Sequence, residues 1–243
     1  MFVGILLGIF GISYLLEHYP PLVWGFFFGL IIGSAIYIAG TIKGWKIATW
    51  TALLIGIVVA YFITIISPAQ GSENLLFIFI SGMIAISALI LPGISGSFIL
   101  LLLGMYTFVL HSVKNFLLTQ DMGSGLIVIV FSLGCLTGLM LFSNVLSWTL
   151  KHYQSATLAV LTGFMIGSLN RIWPWRNPSV WLNDDGEYIS LLPPDAILED
   201  YHIVSELNVL PDQYFGTPYL PGVMIAVTFG LVIVFFLSRI QVD

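Results

Sequence analysis

The residues best suited to chemistry lie in one short segment of small and helix-breaking residues, namely Pro92, Gly93, Ser95, Gly96 and Ser97. The two serines supply hydroxyl groups that both donate and accept hydrogen bonds. The proline breaks a helix because it lacks a backbone donor, and the glycines allow a ligand to approach the backbone closely. Hydroxyls beside the unpaired amides of a helix start are suited to an anion such as a phosphate.

This segment interrupts Asn74–Val113, a run of 40 residues without Asp, Glu, Lys or Arg. One helix needs about 20 residues to cross a bilayer, and the interruption leaves two shorter pieces, Leu75–Ile90 and Phe98–Leu110. Broken backbone at membrane depth is tolerated only where protein covers it or where it lines a polar cavity. The sequence therefore predicts a re-entrant helical hairpin over residues 75–110, with the serines at a substrate-binding tip. The alternative is that the serines only cap the second helix.

Four residues elsewhere are further candidates for contact with an anion. Arg171 ends an apolar stretch, and its guanidinium can form a bidentate contact with a phosphate. A snorkelling arginine beside an aromatic belt is the competing interpretation. Lys151, His152 and Ser168 are secondary candidates. Lys151 and His152 are also typical of residues that anchor a helix at the membrane interface, and Ser168 is also typical of helix packing.

The composition identifies the class of protein. The 243 residues are 58% hydrophobic and 8% charged, whereas soluble domains carry about 25% charged residues. We therefore predict an all-α polytopic membrane protein with six spanning helices besides the hairpin. These helices are expected near residues 1–16, 22–41, 47–66, 126–150, 155–170 and 221–238.

One polar segment, residues 173–220, stands apart from the apolar helices. It holds eight of the 12 acidic residues and six of the 11 prolines. This composition predicts an acidic loop outside the membrane, with its tryptophans at the membrane interface. By the positive-inside rule, the remaining basic residues place the C-terminus in the cytoplasm and the loop on the exterior.

The chain repeats itself at a constant offset of 134 residues. The matched pairs include Gly29 with Gly163, Gly33 with Gly167, and His18-Tyr19 with His152-Tyr153. The match predicts a first repeat, residues 1–72, that lacks a hairpin, and a complete second repeat, residues 73–243. Three crossings in each repeat give opposite orientations, which is the inverted-repeat design of transporters. We expect either a shortened gene product or a first half-site supplied from elsewhere, such as by a homodimer.

Several classes of function lack their sequence signals. No span contains an acidic residue at mid-depth, which argues against a carboxylate proton relay. The sequence has no metal-ligand spacing, no phosphate-binding glycine loop and no nucleophile elbow. No basic stripe interleaved with aromatic residues suggests nucleic acid. We therefore expect no metal, no cofactor and no catalytic residue.

Three stretches resemble the PopT family of bacterial and archaeal polyprenyl-phosphate transporters. They are Ala85–Phe98 continuing through Leu103–Tyr106, Phe26–Leu30, and Leu161–Leu169 continuing through Trp173–Trp175. The resemblance implies that undecaprenyl phosphate, the lipid carrier of envelope glycans, is returned across the cytoplasmic membrane for reuse. It also implies two Pro-Gly motifs, one in each repeat, of which this chain carries the second.

The sequence leaves three other interpretations of the function open. The first is an intramembrane polyprenyl-pyrophosphate phosphatase, which would need a Glu and an Arg beside the serines. The second is a channel or exchanger for a small anion, for which more positive charge within the spans is expected. The third is a membrane remnant that does not transport.

Overall fold

The computed structural model describes residues 11–66, 69, 71–183, 188–189 and 201–240. Residues 11–18 are helical. The elements that follow, in chain order, are α1 (Pro20–Thr41), α2 (Ile47–Ile65), α3 (Leu75–Ile90), α4 (Gly96–Leu102), α5 (Tyr106–Thr119), α6 (Met122–His152), α7 (Gln154–Ser168), β1 (Arg176–Asn183), β2 (Tyr188–Ile189), β3 (Tyr201–Asn208), a 3-10 turn (Pro211–Gln213) and α8 (Leu220–Ile240).

Within the described ranges, four helices are long and apolar enough to cross a membrane, namely α1, α2, α6 and α8. They identify a multi-pass membrane protein, as predicted. The helix expected near residues 155–170 is present as α7, but its 15 residues are fewer than the roughly 20 that one crossing needs. Most of the first expected span, residues 1–10, lies outside the described residues.

The chain forms two compact units. The central unit is Ala35–Leu169, and the terminal unit combines Met1–Ser34 with Asn170–Asp243. Their boundaries do not follow the division at residues 72 and 73 that the repeat predicts. The division into two repeats therefore stays a prediction.

Close contact between helix backbones holds the central unit together. A side chain on Gly163 of α7 would collide with the carbonyl of Leu53 on α2, and one on Gly56 of α2 would collide with that of Val160. Helices α3 and α6 pack in the same way, because Gly134 lies against the Phe79 carbonyl. Small residues let helices approach closely where lipid removes the hydrophobic drive for association.

Buried hydroxyl groups in the central unit are satisfied within their own helices. Ser81 donates to the carbonyl of Phe77 at 2.7 Å, and Thr162 donates to that of Leu158 at 2.8 Å. Both side chains are at most 1% exposed. Such pairing avoids the cost of an unpaired polar group in an apolar environment.

The terminal unit combines membrane helices with a small antiparallel sheet in the order β2-β1-β3. The sheet lies in the acidic loop, where the sequence predicted no strands. Isoleucine, valine and tryptophan in β1 and β3 favour extended structure. Pro178 lies in β1 beside a register shift, a place where a sheet tolerates proline. In the helical part, Gly29 of α1 lies against the Val227 carbonyl of α8.

The predicted repeat partners Gly29 and Gly163 thus play equivalent packing parts in their separate units. Each lies against a backbone carbonyl of one neighbouring helix, Val227 for the first and Leu53 for the second. The repeat itself stays a prediction.

Gly163→Ala should destabilise the protein by about 1–3 kcal/mol, the usual cost of overpacking. A new methyl group would meet backbone atoms of α2, which cannot move aside as a side chain can. Thermal unfolding in detergent measures the effect. The matched control is Gly40→Ala, because nothing lies within 4 Å of the side-chain position at Gly40 in α1. Equal unfolding temperatures for the two variants would contradict this packing account.

Candidate functional site

The chain reverses direction at the segment Leu91–Ser97, which we call the serine turn. Helix α3 ends at Ile90, and Leu91 is extended (φ −75°, ψ 126°), as expected for a residue before proline. Gly93 has a φ of +89°, a conformation that favours glycine. Helix α4 then packs back on α3, because Gly96 lies 2.6 Å, at its side-chain position, from the Ala85 carbonyl. The predicted break and the predicted first helix, Leu75–Ile90, are both present.

The second helix of the hairpin differs from the prediction. The sequence predicted one helix over Phe98–Leu110, but α4 ends at Leu102 and α5 begins at Tyr106. The two helices are bent by 107° at Gly104, whose φ is +67°. Because α4 has only seven residues, it contributes little aligned dipole to attract an anion. Side-chain hydroxyls must supply most of the attraction at this turn.

The two serine hydroxyls of the turn contact each other. The Oγ atoms of Ser95 and Ser97 are 2.8 Å apart, and both residues are exposed. Ser95 occupies the N-cap position of α4 without a side-chain cap bond. The structure therefore disfavours the capping alternative. The contact uses one of the two hydroxyl protons, so the pair can still donate the other to a ligand.

The serine turn lies against the carboxyl end of α7. A side chain on Gly93 would collide with the hydroxyl of Ser168 and would approach the Phe164 carbonyl to 3.2 Å. Ser168 is 2% exposed and donates its own proton to the Met165 carbonyl at 2.8 Å. The structure thus brings Gly93 and Ser168 together. Ser168 lies against one side of the turn, while Gly93, Ser95 and Ser97 stay exposed.

The structure separates Lys151 and His152 from the serine turn. These residues end α6, next to the amino end of α7, whereas Gly93 lies at the carboxyl end of α7. The 15 residues of α7 span roughly 21 Å at about 1.5 Å per residue. A phosphate held by the serines is therefore out of reach of these two side chains.

His152 instead makes a local contact with its own helix. Its Nδ1 lies 2.9 Å from the Trp148 carbonyl, and its ring stacks on Trp148. His18, the predicted repeat partner of His152, has the same arrangement with Tyr14. Both histidines therefore have equivalent structural roles at a helix end.

Arg171 follows α7 by three residues and belongs to the terminal unit. It lies in a turn between α7 and β1 and is partly buried. Within the part of the chain that the structure describes, no three His, Cys, Asp or Glu side chains cluster in a way that could hold a metal ion.

A second polar cluster, which the sequence analysis missed, organises the acidic loop. Arg176 of β1 pairs with Glu206 of β3 at 2.7 Å, and the two side chains are 7% and 22% exposed. The guanidinium lies 4.3 Å from the ring centre of Trp24 in α1. Burial lowers the pKa of Arg176, while Glu206 opposes that shift. The pairing depends on the strand register, for which the sequence offers no signal.

Two predicted interface tryptophans stabilise the same loop. The indole of Trp173 donates to the Val209 carbonyl at 2.9 Å, and that of Trp175 donates to the Pro218 carbonyl at 2.8 Å. Trp175 is 6% exposed, so it is buried inside the terminal unit and not displayed at a membrane interface. The described part of the loop is therefore folded, with its own buried contacts.

Glu206→Gln should destabilise the folded loop by about 1.5–3 kcal/mol, the usual worth of a hydrogen bond to a charged group. The substitution leaves the buried Arg176 guanidinium without a counter-charge. Limited proteolysis between residues 176 and 208 measures loop opening. Asp212→Asn is the control, because Asp212 is an exposed acidic residue in the same loop. Equal cleavage rates for the two variants would show that the ion pair does not hold the loop.

The amino-acid sequence of this chain is similar to that of known proteins. A family model described as "VCA0040-like: Undecaprenyl phosphate translocase-like" matches residues 1–189. A protein of Vibrio cholerae named polyprenyl-phosphate transporter is 45% identical over 221 residues, which cover 90% of this chain and 68% of that protein. A Staphylococcus aureus protein of the same name is 31% identical over 190 residues, covering 71% and 66% respectively. No solved structure matches.

The family match extends over most of the chain and includes the serine turn together with α1 to α7. The chain therefore belongs to the undecaprenyl phosphate translocase-like family.

Proposed function

We propose that this chain translocates a polyprenyl monophosphate lipid, such as undecaprenyl phosphate, and that the serine turn binds its phosphate. The family match and the names of the two relatives support the substrate class. The observation that carries the site is the exposed pair of Ser95 and Ser97 hydroxyls. They lie within 40 consecutive residues that carry no charged side chain.

Neutral donors suit a transported anion better than a fixed charge at the same place. Transport requires binding that is favourable enough for entry and weak enough for release. Hydroxyl and amide donors can hold a phosphate without leaving an uncompensated cation in the membrane when the site is empty. Gly93 and Gly96 add to this site by keeping side chains away from the backbone of the turn.

Pro92 shapes the proposed substrate site, and Arg171 of the terminal unit is proposed separately as a phosphate ligand. The proline ends α3 and creates the turn, and it contributes no direct contact to the ligand. The guanidinium of Arg171 is suited to a bidentate phosphate contact of its own. Ser168 lies against Gly93 and thereby supports the turn. Lys151 and His152 are left out of the site because α7 separates them from the turn.

The setting of this transport follows from the predicted repeats. We place the chain in the cytoplasmic membrane with a cytoplasmic C-terminus and with the acidic loop outside, where lipid phosphate is collected for recycling. Inverted repeats of three spans and one hairpin would allow alternating access to the turn. The protein acts as a transporter and not as an enzyme.

The double substitution Ser95→Ala with Ser97→Ala should lower the transport of polyprenyl phosphate at least tenfold. A hydrogen bond to a charged group is worth about 1.5–3 kcal/mol, and 1.4 kcal/mol corresponds to a tenfold change. Movement of undecaprenyl phosphate between the leaflets of proteoliposomes measures the effect. The control is Ser87→Ala, because Ser87 donates to the Met83 carbonyl within α3. Unchanged transport by the double variant would exclude the turn as the phosphate site.

Arg171→Gln should weaken binding of polyprenyl phosphate about tenfold, because it removes a charged, two-pronged donor. Arg171→Lys should restore only part of the affinity, since lysine keeps the charge but loses the fork geometry. Binding in detergent is compared with that of Lys114→Gln, which removes an exposed charge from α5. Arg176→Gln is unsuitable as a control because it breaks the buried ion pair of the loop. Equal, small losses for the Arg171 and Lys114 variants would assign Arg171 to the membrane interface.

A further inference from the structure

The central unit contains an apolar groove between α6 and α7, with a volume of about 350 Å³. One end of the groove is lined by Thr149 and Tyr153, where the two helices join. The lining continues along Val145 and Val160, and the other end is lined by Leu91 and Phe164. The distance along α7 from Tyr153 to Phe164 is roughly 16 Å at about 1.5 Å per residue. We call this feature the α6–α7 groove.

The lining of the groove carries no charged residue. Its threonine hydroxyls are already committed, because Thr149 donates to the Leu146 carbonyl and Thr157 donates to the Tyr153 carbonyl, both at 3.0 Å. The groove therefore offers no uncommitted threonine proton to a polar ligand. Its surface is suited to a hydrocarbon chain.

The groove is continuous with the serine turn. Leu91 lines the groove and directly precedes Pro92, while Phe164 lines the groove and has its carbonyl close to Gly93. Leu91 and Phe164 thus bring one end of the groove to the serine turn, the segment that carries the two exposed hydroxyls. A ligand that fits both parts carries a phosphate at one end and a hydrocarbon chain at the other.

We propose that the α6–α7 groove binds the part of the prenyl chain nearest the phosphate. This inference rests on the proposed function and adds the site of the lipid tail to it. The volume is at the lower end of the range for small-molecule sites, about 300–1,000 Å³. A long prenyl chain therefore fills the groove with its first isoprene units and leaves the remainder in the bilayer.

The groove acts by shape and packing, because the surrounding bilayer is itself apolar. Holding the first isoprene units orients the phosphate toward Ser95 and Ser97 and lowers the entropy lost when it binds. A phosphate without a tail lacks that orientation. The groove thus explains how a turn with few donors selects a lipid phosphate over soluble phosphate.

Photolabelling of the unmodified protein tests the location of the tail directly. The probe is a polyprenyl phosphate that carries a diazirine in its second isoprene unit, and mass spectrometry identifies the labelled residues. We expect labels on groove residues such as Val145 and Val160. Labels spread evenly over outward-facing residues such as Ile129 and Val58 would overturn the proposal. Equal displacement of the probe by dioleoyl phosphatidate and by undecaprenyl phosphate would overturn it too.

A groove-filling variant provides the second test. Val145→Trp should weaken binding of undecaprenyl phosphate at least tenfold and leave weak competition by inorganic phosphate unchanged. Ile129→Trp is the matched control, because both residues are exposed on α6 and Ile129 does not line the groove. Equal affinities for the two variants would overturn the tail site. The serine double variant, measured in parallel, reports on the phosphate site alone, so the two proposals can fail separately.

Discussion

The structure depends on one constraint, which is that backbone polar groups cannot stay unpaired in hydrocarbon. Long helices meet it internally, and glycines let those helices pack backbone to backbone, as Gly163 does against Leu53. The serine turn is the exception in the middle of a charge-free stretch. The carboxyl end of α7 lies against one side of this turn at Gly93, while Gly93 and the two serines stay exposed. The exposed polarity in this turn is what makes it a candidate for binding.

The two compact units meet different demands. The central unit combines the exposed serine turn with an apolar groove, and this pairing matches the phosphate and the hydrocarbon chain of a lipid phosphate. In the terminal unit, buried contacts around Arg176 and Trp175 stabilise the described part of the acidic loop, which contains a three-stranded sheet. A buried arginine between a carboxylate and an indole ring is costly to desolvate, so its pairing specifies one arrangement of the loop.

Hydropathy and helix breakers in the sequence predicted the membrane class, the bounds of α3 and the break at Pro92. These features depend on local chemistry. The end of α4 at Leu102 was missed, because Gly104, a glycine inside an apolar run, does not by itself indicate a bend of 107°. The Arg176–Glu206 pair was missed because it depends on strand register. Lys151 was a reasonable candidate by charge, and only the three-dimensional path of α7 removes it from the serine turn.

The central claim is that a polyprenyl phosphate binds with its phosphate at the serine turn. The most direct measurement is a cryo-electron microscopy structure of the complete protein in lipid nanodiscs with undecaprenyl phosphate added. The account predicts phosphate oxygens within about 3 Å of the Ser95 and Ser97 hydroxyls, the distance of a hydrogen bond. A phosphate bound at the other end of α7, beside Lys151 and His152, would contradict it.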